Sequence, residues 1–131
     1  MNHFASNLMF GIYCRNSTHD GPGDQLNACR ELIAACSHYS STRNVGEYLD
    51  DGNSANLLDR PGIKRLLADA EAGKLTVVIV RDLGRFSRDP ATLVMLLLTL
   101  EDLGMVVVAV ADEFCSDAMS HQHFFGHGAA S

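Results

Sequence analysis

The chain has no lysine or arginine beyond Arg88. All ten basic residues lie between Arg15 and Arg88, eight of them arginine, while residues 90–131 carry five acids. With a net charge of −6, this excludes a free-standing polybasic nucleic-acid binder, and it leaves no basic DNA-reading module in the C-terminal third. Long apolar runs are also missing. Leu93–Leu98 and Met105–Ala111 are both far too short to span a bilayer. No basic stretch precedes the first apolar run, as a secretory signal would require. The expectation is a soluble, cytoplasmic protein with no membrane partner. Cys14, Cys29, Cys36 and Cys115 form no C-x-x-C pair and no zinc-ligand spacing, which suits reduced thiols.

Apolar residues make up 47% of the 131 residues and charged residues 20%. That composition predicts one globular domain with a core of its own. Leu8–Cys14 reads as a buried strand. Gly21-Pro22-Gly23 breaks the chain, and Asp24 is placed to cap a helix over 24–36, whose Leu26, Cys29, Leu32, Ile33 and Cys36 fall at helical spacing. Val45–Leu49 is a weaker strand, and Asp50–Leu58 reads as a loop. Asp59, Pro61 and Gly73 mark the ends of a second helix. Leu75–Val80 and Met105–Ala111 are nearly all apolar, as strands covered on both faces are. Between them, Asp89-Pro90 opens a helix that Gly104 closes. Its stripe is Leu93, Leu96, Leu97 and Leu100. Val94, Met95 and Leu98 lie beyond that stripe, which predicts deeper burial or, alternatively, a subunit interface.

The order β-α-β-α-β-α-β predicts an α/β fold, a parallel sheet with helices on both faces. Ligands bind such sheets outside the carboxyl ends of the strands, where the winding reverses. If the first strand lies beside the third, Tyr13-Cys14-Arg15-Asn16-Ser17-Thr18 meets Arg81-Asp82-Leu83-Gly84-Arg85-Phe86-Ser87-Arg88. A hydroxyl among guanidinium groups can supply a nucleophile and compensate phosphate charge without a metal. Against this, a serine after a strand is ordinarily a turn residue, and Arg85 and Arg88 could pair with Asp82 and Asp89 on the surface. His121, His123 and His127 in HQHFFGH could bind zinc weakly, but a histidine-bearing tail is the simpler reading. His19 could act as a base, although a solvated loop histidine is the plainer one.

These residues resemble the N-terminal catalytic domain of the serine recombinases, the resolvase/invertase family and its larger integrase relatives. Tyr13-x-Arg15-x-Ser17-Thr18 is similar to the nucleophile motif. Asp24-Gln25-Leu26 with Cys29-Arg30 is similar to the start of the first helix. Asp51-x-x-Ser54 and Asp59-Arg60-Pro61-Gly62 resemble the loop and helix entry that follow. Leu83-x-Arg85-x-x-Arg88-Asp89 resembles the arginine motif. The likeness covers about residues 8–111, and the motifs fall in the family's order and spacing.

The resemblance implies a three-layer, flavodoxin-like fold and a site-specific recombinase that cleaves and rejoins DNA. Ser17 would form a 5′-phosphoserine link. Arg15, Arg60, Arg85 and Arg88 would hold the phosphate. Tyr13, Asp51, Ser54 and Gln25 would line the substrate site, with Asp51 orienting an arginine. Neither cofactor nor metal is implied. The partners would be DNA and further copies of the chain, as a dimer or tetramer. Residues 1–111 would be the catalytic domain. Asp112–Ser131 would be an irregular tail or the truncated start of the family's long helix, so this chain alone would bind DNA weakly.

The chain also departs from the family pattern. Gly84 stands where the family usually has an aspartate, and Asp82, two residues back on the same face, is its candidate substitute. Asn16 stands where valine is usual and Ala55 where glycine is usual. The alternative is therefore a catalytically impaired or regulatory domain that pairs with an intact recombinase. A receiver-like phosphate module is a poorer match, because it would want an acidic pair after the first strand and a late lysine.

Overall fold

The computed structural model describes residues 9–16, 21–35, 45–52 and 56–129, the side chains at 119, 123 and 127–129 excepted. Strands β1 (Phe10–Arg15), β2 (Gly46–Asp50), β3 (Val77–Val80), β4 (Val106–Ala109) and β5 (Phe114–Cys115) form one sheet in the order β2-β1-β3-β4-β5. The first four are parallel, and β5 runs antiparallel to β4. Helices α1 (Pro22–Ala35), α2 (Pro61–Glu71), α3 (Pro90–Asp102) and α4 (Ala118–Ala129) complete the described elements, with short 3-10 turns at Leu57–Asp59 and Leu83–Arg85.

The central strands are buried because both faces are covered. On one face Tyr13, Val78, Val80 and Val107 pack with Ile63 and Leu66 of α2 and with Leu96 and Leu100 of α3. On the other, Phe10, Ile12, Cys14, Ile79 and Val108 pack with Cys29 and Ile33 of α1 and with Phe124 of α4. This is the expected three-layer α/β arrangement. β1 pairs with β3 on one side and β2 on the other, so the winding reverses at β1/β3 and their carboxyl ends share a crevice.

Several expectations need correction. The first helix begins at Pro22, so Asp24 lies in its first turn and is not the cap. Pro22 lacks an amide hydrogen that the first turn leaves unpaired in any case. β2 runs one residue later than expected and takes in Asp50, which the sequence pattern assigns to a loop. Asp59 does not cap α2 either. Arg60 holds that position without a side-chain capping bond, and the carboxylate of Asp50 accepts from Gly62 N at 2.7 Å and Ile63 N at 3.2 Å. Gly62 permits this approach, since a Cβ there would lie 2.7 Å from Asp50 Oδ2.

At α3 the expected cap is present: Asp89 accepts from Thr92 N, and Gly104 at φ +80° ends the segment. Deeper burial of Val94, Met95 and Leu98 is not found, because they are 54%, 51% and 56% exposed. The segment after residue 111 is not irregular. It forms β5 and α4, and Phe124 is buried edge-on against Phe10. Among the described residues no helix is long and apolar enough to cross a membrane.

Candidate active site

Three arginines from three separate segments meet at the carboxyl end of β1. Arg15 ends that strand. Its Nε donates to Arg85 O at 3.1 Å and its Nη2 to Gly84 O at 3.1 Å. Arg85 returns the contact, donating from Nη1 to Arg15 O at 3.3 Å. Arg60, from the entry to α2, donates from Nη1 to Phe86 O at 2.9 Å, to Arg85 O at 3.3 Å and to the Tyr13 hydroxyl at 3.3 Å. The end of β1, the entry to α2 and the loop after β3 are thus tied together by guanidinium–carbonyl bonds.

The support beneath them is apolar on one side and charged on the other. Phe86 stacks on Tyr13, with ring centroids 5.2 Å apart. The Tyr13 hydroxyl donates to Asp50 Oδ2 at 2.9 Å. Burial raises the Tyr13 hydroxyl pKa far above its ordinary value. The Arg60 hydrogen bond opposes that rise, and the Asp50 bond adds to it. Asp50 and Arg60 are only 6% and 5% exposed, and polar groups so buried are ordinarily bonded. Tyr13 links them, since it accepts from Arg60 and donates to Asp50.

Gln25 lies at the start of α1, fully buried. Its Oε1 accepts from Arg15 N at 3.2 Å and its Nε2 donates to Arg15 O at 3.0 Å. It therefore grips the backbone of Arg15 through both functions of its amide. Asp82 Oδ2 accepts from Arg81 Nε at 3.1 Å and Arg85 Nε at 3.3 Å. Arg85 is thus paired with Asp82, as the surface reading allowed, but its side chain is only 12% exposed. Arg88 is exposed, and among the described residues no hydrogen bond joins it to the other arginines. Asp51 is also exposed, whereas Asp50 is the carboxylate buried beneath the cluster. Ser17, His19 and Ser54 lie outside the described residues. His121 Nε2 sits 2.9 Å from Glu113 O, and no three potential metal ligands gather among the described residues.

The sequence reading missed Asp50 and Asp112. The signal for Asp50 was the alternation of Tyr48 and Asp50 on one face of a short strand. Asp112 Oδ2 accepts from Leu83 N at 2.8 Å and so caps the arginine turn from the turn that follows β4. Asn16 Oδ1, next in the chain after Arg15, is buried without a hydrogen-bond partner among the described residues. Chemically, the cluster offers a dense group of permanent cations at the end of a parallel sheet, suited to an anion with several oxygens.

Residues 10–130 match the family model described as "Resolvase, N terminal domain". A Bacillus subtilis (strain 168) protein named "Putative DNA recombinase" is 30% identical over 125 residues, which make up 94% of this chain and 24% of that protein. The chain therefore spans about a quarter of the length of that curated relative. The crystal structure of the N-terminal catalytic domain of TP901-1 integrase matches with a TM-score of 0.63 at 24% identity, covering 93% of this chain and 92% of that one. A resolvase family site-specific recombinase from Streptococcus pneumoniae matches with a TM-score of 0.55 at 21% identity, covering 94% and 87%. At those identities the two structures speak for the fold. The family match takes in the arginine cluster and continues through β5 and α4, and by it the chain belongs to the resolvase N-terminal domain family, the catalytic domain of serine recombinases.

Proposed function

We propose that this domain cleaves and rejoins DNA strands through Ser17. The hydroxyl oxygen of Ser17 attacks a backbone phosphorus. A phosphoserine ester forms at the 5′ side, the bond to the 3′ oxygen breaks, and that oxygen leaves as a hydroxyl after taking a proton. A 3′-hydroxyl from the same or another strand reverses the step, so the number of phosphate ester bonds is conserved and no ATP is needed. Arg15, Arg60 and Arg85 supply fixed positive charge to the equatorial oxygens in the transition state, and Arg88 adds a further cation from the surface. Gln25 and Asp50 act on the backbone and on Tyr13, so they hold the arginines in place. Ser54 and Asp51 belong to the same substrate site. DNA is the substrate and further copies of the chain are the partners, in a dimer or tetramer. The compartment is the cytoplasm.

The observation that carries this reading is the meeting of three guanidinium groups at the end of the strand that leads directly to Ser17. The second reading, a domain that keeps the fold and regulates an intact recombinase, is favoured by Gly84, which brings no carboxylate into the arginine motif.

The test is to fuse the full chain to a heterologous DNA-binding domain and supply supercoiled DNA bearing the matching sites. Denatured products are then examined for protein attached through a 5′-phosphate. The expected result is an adduct that disappears in Ser17→Ala. A fusion that occupies its sites and yields no adduct would favour the regulatory reading.

A further inference from the structure

Asp82 precedes the 3-10 turn Leu83–Arg85 at the position where an aspartate ordinarily caps. Its side chain makes no cap bond. Asp112, brought back by a turn in which Glu113 adopts φ +47°, takes the Leu83 amide instead. The Asp82 carboxylate is thereby left for the arginines on either side. One oxygen, Oδ2, receives both Arg81 Nε and Arg85 Nε. The other, Oδ1, occupies the space beside Gly84, where an added Cβ would lie 3.0 Å from it. That distance is tighter than most Cβ contacts, so a side chain at 84 would make the Asp82 carboxylate give by a few tenths of an ångström, which couples the two positions.

Arg85 is the hub of the cluster. Its carbonyl receives Arg15 and Arg60, and its own Nη1 reaches Arg15 O. A guanidinium group is planar, so a carboxylate on Nε fixes the plane and turns the Nη edge toward the end of β1.

We propose that Asp82 is the positioning residue for Arg85 in strand cleavage, and that Gly84 is the clearance this arrangement needs. The proposal rests on the function proposed above. A bond to a charged partner restrains a long side chain more firmly than a neutral one. Its loss should therefore slow the chemical step without weakening DNA binding, which the fused domain supplies.

The test compares D82A, D82N, G84A and D82A/G84A by the rate of adduct formation at saturating DNA and by the DNA concentration giving half that rate. The expected result is a fall of about tenfold in rate for D82A, with the half-saturating concentration unchanged. D82N, which keeps an acceptor but loses the charge, should fall between D82A and the wild type. G84A should lower the rate about threefold when Asp82 is present and have no effect in the D82A background, because its effect passes through Asp82. Equal rates in D82A and wild type, or additive effects in the double variant, would overturn the proposal.

The Nε–H nitrogen–proton signal of Arg85 in the unfused chain gives a readout independent of catalysis. It should be protected from exchange in wild type and lost in D82A. If that signal is indifferent to D82A, the proposal also fails. If wild type forms no adduct, the cleavage reading fails and the catalytic role of Asp82 with it, while the signal still decides whether Asp82 holds Arg85.

Discussion

The carboxyl end of the sheet and the outer face of α3 depart from ordinary burial in opposite directions. At the sheet end, Asp50, Arg60 and Gln25 are almost wholly buried, and each is matched with partners at hydrogen-bond distance. On α3, three large apolar side chains stand more than half exposed, beside a groove of about 220 Å³ lined by Val94, Leu97, Leu98 and Phe114. Charged groups are seldom buried unless paired, and clustered apolar exposure is seldom idle. The first region is held by many directional bonds and should be brittle. The second contributes little to the monomer's stability and should be tolerant.

Asp50→Ala should produce the largest break. It removes the acceptor for the Tyr13 hydroxyl and for two amides at the start of α2. Each orphaned buried donor costs on the order of 1–3 kcal/mol, and such costs do not simply add. A loss of about 4 kcal/mol in urea unfolding is expected, with roughly half of that in Asp50→Asn, which keeps one acceptor oxygen. A loss below about 1 kcal/mol would mean that water reaches the pocket and the sheet end is not as closed as its burial implies.

The contrast within α3 follows. Leu96 is 2% exposed and Leu98 is 56% exposed, two residues apart on one helix. Leu96→Ala should cost about 3 kcal/mol through lost burial and a cavity. Leu98→Ala should change stability by less than about 0.5 kcal/mol. A large cost at Leu98 in a dilute sample would show that its exposed face is covered in solution.

How far the sequence disclosed each region follows from the same contrast. β1, β3 and β4 were legible because strands covered on both faces are apolar throughout. Their ends were not, since Leu75, Met105, Val110 and Ala111 carry the apolar pattern beyond the ladder. β5 has only two residues, too few for any period. α4 carries Gly126 and scattered histidines, and Phe124 is what anchors its face. At the site, Arg15 and Arg85 were legible because the strand order brings the end of β1 beside the loop after β3, whereas Arg60 was legible only through the family resemblance. Asp50 was hidden beside Asp51: only the pleat decides which of two adjacent acids points inward, and a five-residue strand shows little alternation. The sequence left the outer face of α3 open between deeper burial and a subunit interface, because six consecutive apolar residues look the same whether one or both sides are covered, and the exposure of Val94, Met95 and Leu98 removes the first.

Alkaline pH probes the face of the sheet that packs against α1 and α4. Burial pushes the Cys14 thiol from 9.0 up to about 11 and the Cys29 thiol from 9.0 up to about 12. Below pH 9 both thiols are protonated in the folded and unfolded chain alike, and the folded state keeps its full advantage. Above pH 9 the unfolded chain releases protons that the folded chain retains, so stability should fall as pH rises toward 11–12. Tyr13, also raised by burial, works in the same direction. Unfolding midpoints measured from neutral pH to about pH 11 should decline, and Cys29→Ala should flatten the decline. A flat wild-type profile would show that these thiols are wetter than their packing suggests.

The smallest effect should be a gain. Among the described residues, Asn16 Oδ1, directly after Arg15, is buried without a hydrogen-bond partner, so the described part of the sheet end contains a group that breaks its own rule of full pairing. Its backbone is already fixed, because Asn16 N donates to Asp50 O at 2.9 Å. Replacing the side chain with valine removes an unsatisfied acceptor and keeps the extended conformation that β-branched residues favour. Asn16→Val should therefore stabilise the chain by about 1 kcal/mol in urea unfolding. If it destabilises instead, Asn16 has a partner in solution, and the sheet end is paired throughout. In that case the adduct assay with the same variant would show whether that partner serves the reaction.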